Sequence, residues 1–202
     1  MSWESELLPI AERVAAQARP GEQVEAYLGR SFDTSVRVYE GEIEQLQSAQ
    51  SEGVGIRVIR DGRIGFAYGG VLDEASVAEV LEEARDNVAF GTSDEWAGLA
   101  EPDGVPVPDL DLWRDDLASF PTEQKVALAM ELERLTLARD PRVRVEQSEY
   151  SDAMGEAAVA TSTGVRAAGR ESACYVVVST LATEGDETQT GFAFSVGSAF
   201  GP

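Results

Sequence analysis

GVGIRVIRDGRIGFAYGG, residues 53–70, is the stretch whose reading decides the fold. Val54, Ile56 and Val58 recur at every second position, the period of a strand with one buried face. Asp61-Gly62 is a pair suited to the positive φ angles of a two-residue hairpin. Beyond it, Ile64, Phe66 and Tyr68 alternate in the same way. Two antiparallel strands follow from this, and the same period continues upstream. VEAYLGR alternates Val24, Ala26 and Leu28, and TSVRVYE alternates Val36 and Val38. Glu40-Gly41 is a turn into EIEQLQSAQ, which makes four or five mostly antiparallel strands between Gln23 and Gly69.

Helices flank this meander. In ESELLPIAERVAAQA, Leu7, Ile10, Ala11, Val14, Ala15 and Ala18 share one face. Pro9 is tolerated only in a first turn, so the helix is expected to begin near Leu8 and to stop at Pro20-Gly21. A second helix is predicted from Asp73, a good N-cap, to Phe90, with Val77, Val80, Leu81, Ala84 and Val88 inward. Residues 91–120 carry three prolines and acidic clusters with little periodicity, and read as a long extended connector. Trp96, Leu99, Leu112 and Trp113 are its expected anchors. A third helix opens at Pro121-Thr122, with Thr122 as the expected cap, and runs to Asp140-Pro141. Strands are then predicted over 142–150, 155–162 and 171–183. A last one follows the Glu184-Gly185-Asp186 turn, where Thr188, Thr190, Phe192, Phe194 and Val196 alternate. Val176 and Val178 are expected to share the core with Phe192 and Phe194. The fold class is therefore α+β: two helix-plus-antiparallel-sheet units, 1–90 and 121–202, joined by the connector 91–120. The aromatic-rich end at Phe200-Gly201-Pro202 reads as a chain cut short.

The 37 Asp and Glu against 16 Lys and Arg give a formal net charge of -21. Such a surface repels phosphate backbones, which argues against direct nucleic-acid binding. The single Cys174 lies in the apolar run ACYVVV and cannot form an internal disulfide, which suits a reducing compartment. No apolar run reaches the ~20 residues of a membrane span. The acidic start MSWESELLPI lacks the basic region of a signal peptide, so the expected location is the cytoplasm.

A search for chemistry returns little. There is no His in the sequence, so zinc sites of the HExxH kind, Cys-His pairs and Ser-His-Asp triads cannot be built from it. DLDLWRDD, 109–116, is the nearest thing to an ion loop, but its alternating leucines read as packing. Gly53 and Gly55 lack the third glycine and the following helix of a dinucleotide fingerprint, and mark a close backbone approach in a sheet. Glu40, Glu42 and Glu44 read as a solvated face. Arg57, Arg60 and Arg63 form the local basic cluster, read as cross-strand ion pairs.

The run VRVYEGEIEQLQSAQSEGVGIRVIRDGRIGFAYGG resembles the first domain of the TldD/PmbA family, also called modulators of DNA gyrase. That domain carries a V-R-x-G-E-x-E hairpin and a G-x-G-I-R-V-x-x-D-G-R-x-G-F-A hairpin, matched here by Val36–Glu44 and Gly53–Ala67. Tyr39-Glu40 stands where the family often has a polar turn residue. The helix after Asp73, the Trp96-Ala97-Gly98-Leu99 connector and ATSTGVRAAGRESACYVVVSTLA also resemble the family. Ala160–Gly164 departs from its A-N-S-x-G pattern at Thr161.

The resemblance implies a protein about twice this length. In the TldD type, the family activity is a zinc metallopeptidase with a His-Glu-x-x-x-His motif beyond the matched region. The PmbA, or TldE, type lacks that motif and pairs with a TldD subunit in a hollow heterodimer that cleaves unfolded peptide. No catalytic, cofactor-binding or metal-ligating residue carries over onto this sequence. The expectation is a non-catalytic PmbA-like subunit with a scaffold and peptide-chamber role. Its partners would be a TldD-like paralogue or a second copy, and zinc would lie only in a TldD-type subunit or a C-terminal half. The alternatives are a catalytic TldD-like chain and an independent interaction module.

Overall fold

The computed structural model describes residues 5–106, 108 and 110–198. Helix α1 (Leu8–Ala15) leads into three strands, β1 (Glu22–Tyr39), β2 (Glu42–Arg60) and β3 (Arg63–Gly69). Helix α2 (Glu74–Asn87) ends in a 3₁₀ turn at Val88–Phe90. After an irregular segment come α3 (Asp115–Ala118), α4 (Thr122–Leu137) and the strands β4 (Val143–Thr161), β5 (Arg166–Glu184) and β6 (Glu187–Gly197). Among the described residues they form a six-stranded sheet in the order β3-β2-β1-β4-β5-β6.

The α+β class and the division into helix-and-sheet units hold. The strands, however, are longer than their sequence segments suggest. VEAYLGR and TSVRVYE, up to Tyr39, lie on one 18-residue strand, and the segments 142–150 and 155–162, apart from their outermost residues 142 and 162, lie on one 19-residue strand. The polar residues between the apolar runs keep extended backbone, because a strand flanked by ladders on both sides needs no apolar side chain to stay extended. Consequently the compact units take pieces of each long strand. One comprises the chain to Ser31, Ser51–Asp111 and Gly155–Arg170; the other comprises Phe32–Gln50, Leu112–Met154 and the chain from Glu171.

In the first unit, Leu7 at the cap of α1, Ala11 and Val14 within it, and Val77, Leu81 and Ala84 of α2 bury against Val24, Ala26, Leu28, Ile56 and Val58. Each fully buried Val, Leu or Ile contributes about 1.5–3 kcal/mol. Ser5 Oγ accepts from the Leu7 and Leu8 N–H groups, covering donors that the start of α1 leaves open, while Pro9 sits in its first turn. Asp73 caps α2, its Oδ1 accepting from Ser76 N at 2.9 Å. Helix α2 lies so close to β3 that a Cβ on Gly65 would stand 2.1 Å from Ala84 O. Small residues must therefore face the helix. The register agrees: Val58 pairs with Gly65 and Ile56 with Ala67, while Phe66 and Tyr68 point to the other face, stacked at 6.3 Å and exposed. Asp61 and Gly62 both have positive φ, 52° and 68°, as the hairpin reading requires.

The second unit packs Val36, Val38, Leu117, Ala129, Tyr150 and Cys174 together. Thr122 is not the cap of α4. It is the first helical residue, and Pro121 precedes it with extended backbone and no side-chain hydrogen bond. The expected core pairing of Val178 with Phe192 and Phe194 is overturned. Val178 is buried, but its ladder partner is Ala193. Phe194 pairs with Val177 and Phe192 with Ser179, so both rings take the opposite face and are 66% and 68% exposed.

Of the connector's expected anchors, Leu99 is buried whereas Trp96 is 85% exposed. Main-chain groups of the connector also fasten it: Asp94 N donates to Gly62 O, Leu99 N to the Gln23 side-chain Oε1, and Ser172 N to Leu112 O.

Where β4 begins, Arg142 bonds both Asp140 and Glu184. The Arg142 guanidinium, helped by its backbone N–H, holds the Asp140 carboxyl down to about 2. A lowered folded-state value stabilises above the unfolded carboxylate range, and that contribution fades as pH falls toward 2. Because the Asp140 side chain is about a third exposed and Arg142 half exposed, solvent screens the pair and the effect on stability is small. A carbon-detected titration is expected to place its midpoint near 2. In Arg142→Gln it should move part of the way back, since the backbone donor remains.

Candidate functional site

Helix α4 turns a polar stripe inward. Lys125, Ala129 and Glu133, spaced by four, are its buried residues. Lys125 Nζ lies 2.5 Å from Asp152 Oδ2 and 3.4 Å from Thr34 Oγ1, and stands over the Tyr150 ring at 5.9 Å. Tyr150 OH donates to the same Asp152 oxygen. Burial first, and then the Asp152 carboxylate, pushes the Tyr150 phenol well above its ordinary range. Glu133 Oε2 accepts the Gly41 N–H at 2.8 Å, fastening the β1–β2 turn. Cys174 is buried beside this cluster, its thiol pushed up by burial, then by Asp152 and Asp116. A raised thiol is a poor nucleophile, which agrees with the structural reading of this residue.

Period-two alternation places Gln147, Glu149 and Ser151 on the sheet face away from α4. There, strands β1, β2, β4 and β5 line a groove of ≈ 450 Å³ whose walls include Asp33, Ser35, Gln47, Glu149, Ser151 and Tyr175. Glu149 is its hub. It accepts from Gln147 Nε2 at 2.7 Å and Ser151 Oγ at 3.0 Å, with Arg37 Nη2 at 3.5 Å. Tyr175 OH donates to the same carboxylate at 3.4 Å. A carboxylate tied by so many donors is an anchor that fixes the groove's floor. The groove offers hydroxyl, amide and carboxylate side chains to a ligand.

The other residues singled out from sequence have local roles. Arg57 pairs with Glu25 at 2.8 Å and Arg60 approaches Glu22 to 3.6 Å, the cross-strand ion pairs expected, while Arg63 donates to Gly91 O. Glu44 lies 3.9 Å from Arg37. A Cβ on Gly53 would meet Gly69 O at 3.0 Å, and one on Gly55 the Phe66 ring at 3.3 Å, a close approach within the sheet. In 109–116, Asp109 lies outside the described residues, Asp115 accepts from Trp113 Nε1, and Asp116 accepts from Leu117 N. Among the described residues no three His, Cys, Asp or Glu side chains converge as a metal site, and no helix is long and apolar enough to cross a membrane.

The arrangement is that of a sheet scaffold with a polar groove. Residues 24–88 match the PmbA/TldA metallopeptidase domain 1, and residues 115–201 match the PmbA/TldA metallopeptidase central domain. The chain belongs to the PmbA/TldD family and carries its first two domains. It is 23% identical over 178 residues to the metalloprotease PmbA of Escherichia coli O157:H7, covering 87% of this chain and 39% of that protein. The crystal structure of TldE from Thermococcus kodakarensis superposes with a TM-score of 0.80 at 20% identity, over 96% of this chain and 42% of the other. A Bacteroides thetaiotaomicron protein designated a modulator of DNA gyrase gives 0.84 at 21% identity, over 96% and 46%. The chain thus spans less than half the length of these relatives.

Proposed function

We propose that this chain is the N-terminal part of a PmbA-like, non-catalytic subunit that helps a TldD-like paralogue cleave unfolded peptides in the cytoplasm. What supports the reading is the match to both family domains together with the likeness to the metalloprotease PmbA of Escherichia coli O157:H7 and to TldE of Thermococcus kodakarensis. A His-Glu-x-x-x-His zinc site would have to come from another subunit or from a further domain. What these residues contribute is shape. A peptide lying across a sheet face is held by the polar side chains and hollows of that face, which needs no conspicuous catalytic group. The groove around Glu149 supplies such a surface.

The test uses the full-length protein with its paralogue and an unfolded peptide carrying a photo-crosslinker. Crosslinks are expected at Ser35, Gln47, Ser151 or Tyr175, with hydrolysis dependent on the paralogue's zinc. Crosslinks confined to other faces would remove the groove from the reading. Zinc-dependent hydrolysis by the full-length protein alone would favour a catalytic TldD-like chain instead.

A further inference from the structure

Two peptide bonds of the sequence join aspartate to glycine, Asp61-Gly62 and Asp103-Gly104. Such a bond carries its own electrophile and nucleophile, the side-chain carboxyl and the glycine amide. Glycine has no Cβ to shield that amide and allows backbone rotations that other residues resist. Structure decides which of the two sites can react. Asp61 and Gly62 are the turn residues of the β2–β3 hairpin, both at positive φ, and the ladder closes on them at Arg60↔Arg63. Gly62 O accepts the Asp94 N–H at 2.7 Å, and a Cβ on Gly62 would meet Asp94 O at 2.9 Å. Rotating the Asp61–Gly62 peptide toward the Asp61 carboxyl would break this turn. Asp103 and Gly104 belong to no helix or ladder. Gly104 has φ +76°, and a Cβ there would meet nothing within 4 Å. Asp103 Oδ1 accepts the Val105 N–H at 2.9 Å. A carboxyl bonded to the amide two residues on is folded over the peptide between them, which holds Asp103 Cγ beside Gly104 N.

We propose that Asp103-Gly104 is a site of spontaneous isoaspartate formation, a modification that the chain carries out on its own connector. Gly104 N bonds to Asp103 Cγ as the Cγ–OH bond breaks. The amide proton and the hydroxyl leave together as water, and a succinimide ring remains. A second water then opens the ring. Attack at Cγ returns aspartate. Attack at the main-chain carbonyl carbon of Asp103 leaves the chain running through Cβ and Cγ, with a free α-carboxylate. One water leaves and one returns, so the change is an isomerisation that needs no oxidant and no metal. Nearness supplies the rate, because groups held in line react without first having to find each other. The product lengthens the main chain by one methylene and gives up the bond from Asp103 to Val105. It does so between the segments that match the two family domains, 24–88 and 115–201. Ring closure uses atoms of Asp103 and Gly104 alone, so it depends neither on a partner surface nor on the peptide-handling reading.

The test ages the full-length protein and this chain in mildly acidic buffer made with heavy-oxygen water, then maps their peptides by mass. Each passage through the ring leaves a heavy oxygen at the site. Label at Asp103 is expected to exceed label at Asp61 on the order of a hundred-fold, the scale of loss when reacting groups are held out of line. In urea the hairpin is gone, and the two sites should label at the same rate. Methyl transfer from radiolabelled S-adenosylmethionine by an isoaspartate-specific methyltransferase reads the product itself and should follow the same course. Asp103→Glu would need a larger ring that closes slowly, so both signals should vanish at that site. Asp103 is exposed, and the thermal melt of this variant should match wild type. Equal labelling of Asp103 and Asp61 in the native protein would overturn the proposal, as would Asp103→Glu accepting methyl groups at the wild-type level. A full-length protein left unlabelled at Asp103 while this chain is labelled there would overturn it too.

Discussion

Lys125→Met is expected to remove about 3–5 kcal/mol of stability, the range seen when one partner of a buried ion pair is deleted. The methionine fills much the same space, so the loss comes from what is left behind. Asp152 has no exposed side-chain surface, and its Oδ1 has no hydrogen-bond partner even with Lys125 in place. Without the ammonium, the carboxylate keeps only the Tyr150 hydroxyl. Domains have net stabilities of about 5–15 kcal/mol, so the variant will be marginal. The double variant Lys125→Met/Asp152→Leu should recover most of the loss, because an apolar pair of similar volume needs no desolvated charge. Urea melts of the two singles and the double measure this as a coupling energy. If Lys125→Met lay within about 0.5 kcal/mol of wild type, the pair would have to be solvated, contrary to its burial.

Gly65→Ala is expected to be still more damaging, at about 4 kcal/mol or above, among the largest effects of a single methyl. The new Cβ would lie 2.1 Å from Ala84 O and 2.5 Å from Val88 N, both atoms of main chain that cannot swing aside. Helix α2 must lift from the sheet, and Val77, Val80, Leu81 and Ala84 lift with it. Gly169→Ala is the control. A Cβ there meets nothing within 4 Å and the backbone is not left-handed, so the change should be neutral or stabilise slightly. Equal melting points for the two variants would contradict the packing of α2 on β3.

How far these features could be read in the sequence depends on what each one rests on. The Asp61-Gly62 and Glu40-Gly41 hairpins were legible because turn chemistry is local, and the angles at Glu40 and Gly41, 52° and 75°, match it. Helix α2 was legible from its cap and its apolar period. Which face of a strand turns inward was not. In RIGFAYG, both alternating sets are apolar, and the choice falls to Gly65, Ala67 and Gly69 only because α2 comes so near. The same ambiguity placed Phe192 and Phe194 in a core that they do not enter. The face of α4 was hidden for a different reason. Its buried stripe holds Lys125 and Glu133 while Leu135 and Leu137 are about half exposed, the reverse of an amphipathic pattern. Their charges are matched by Asp152 and by a backbone N–H some distance away along the chain, and sequence spacing gives no sign of either partner. The groove was equally invisible, being assembled from four strands.

The strand order carries a consequence for the birth of the molecule. β1 neighbours β2 and β4, and β4 is synthesised roughly a hundred residues after β1 ends, a wait of about 5–20 s at ordinary rates of translation. During that interval the nascent β3-β2-β1 meander can close, but one side of β1 is left with its amides and carbonyls unmatched. The growing chain thus passes through a stage in which its future centre is temporarily an edge. That is the stage at which a chaperone holding β1, or a premature stop before residue 143, would most change the yield of native protein.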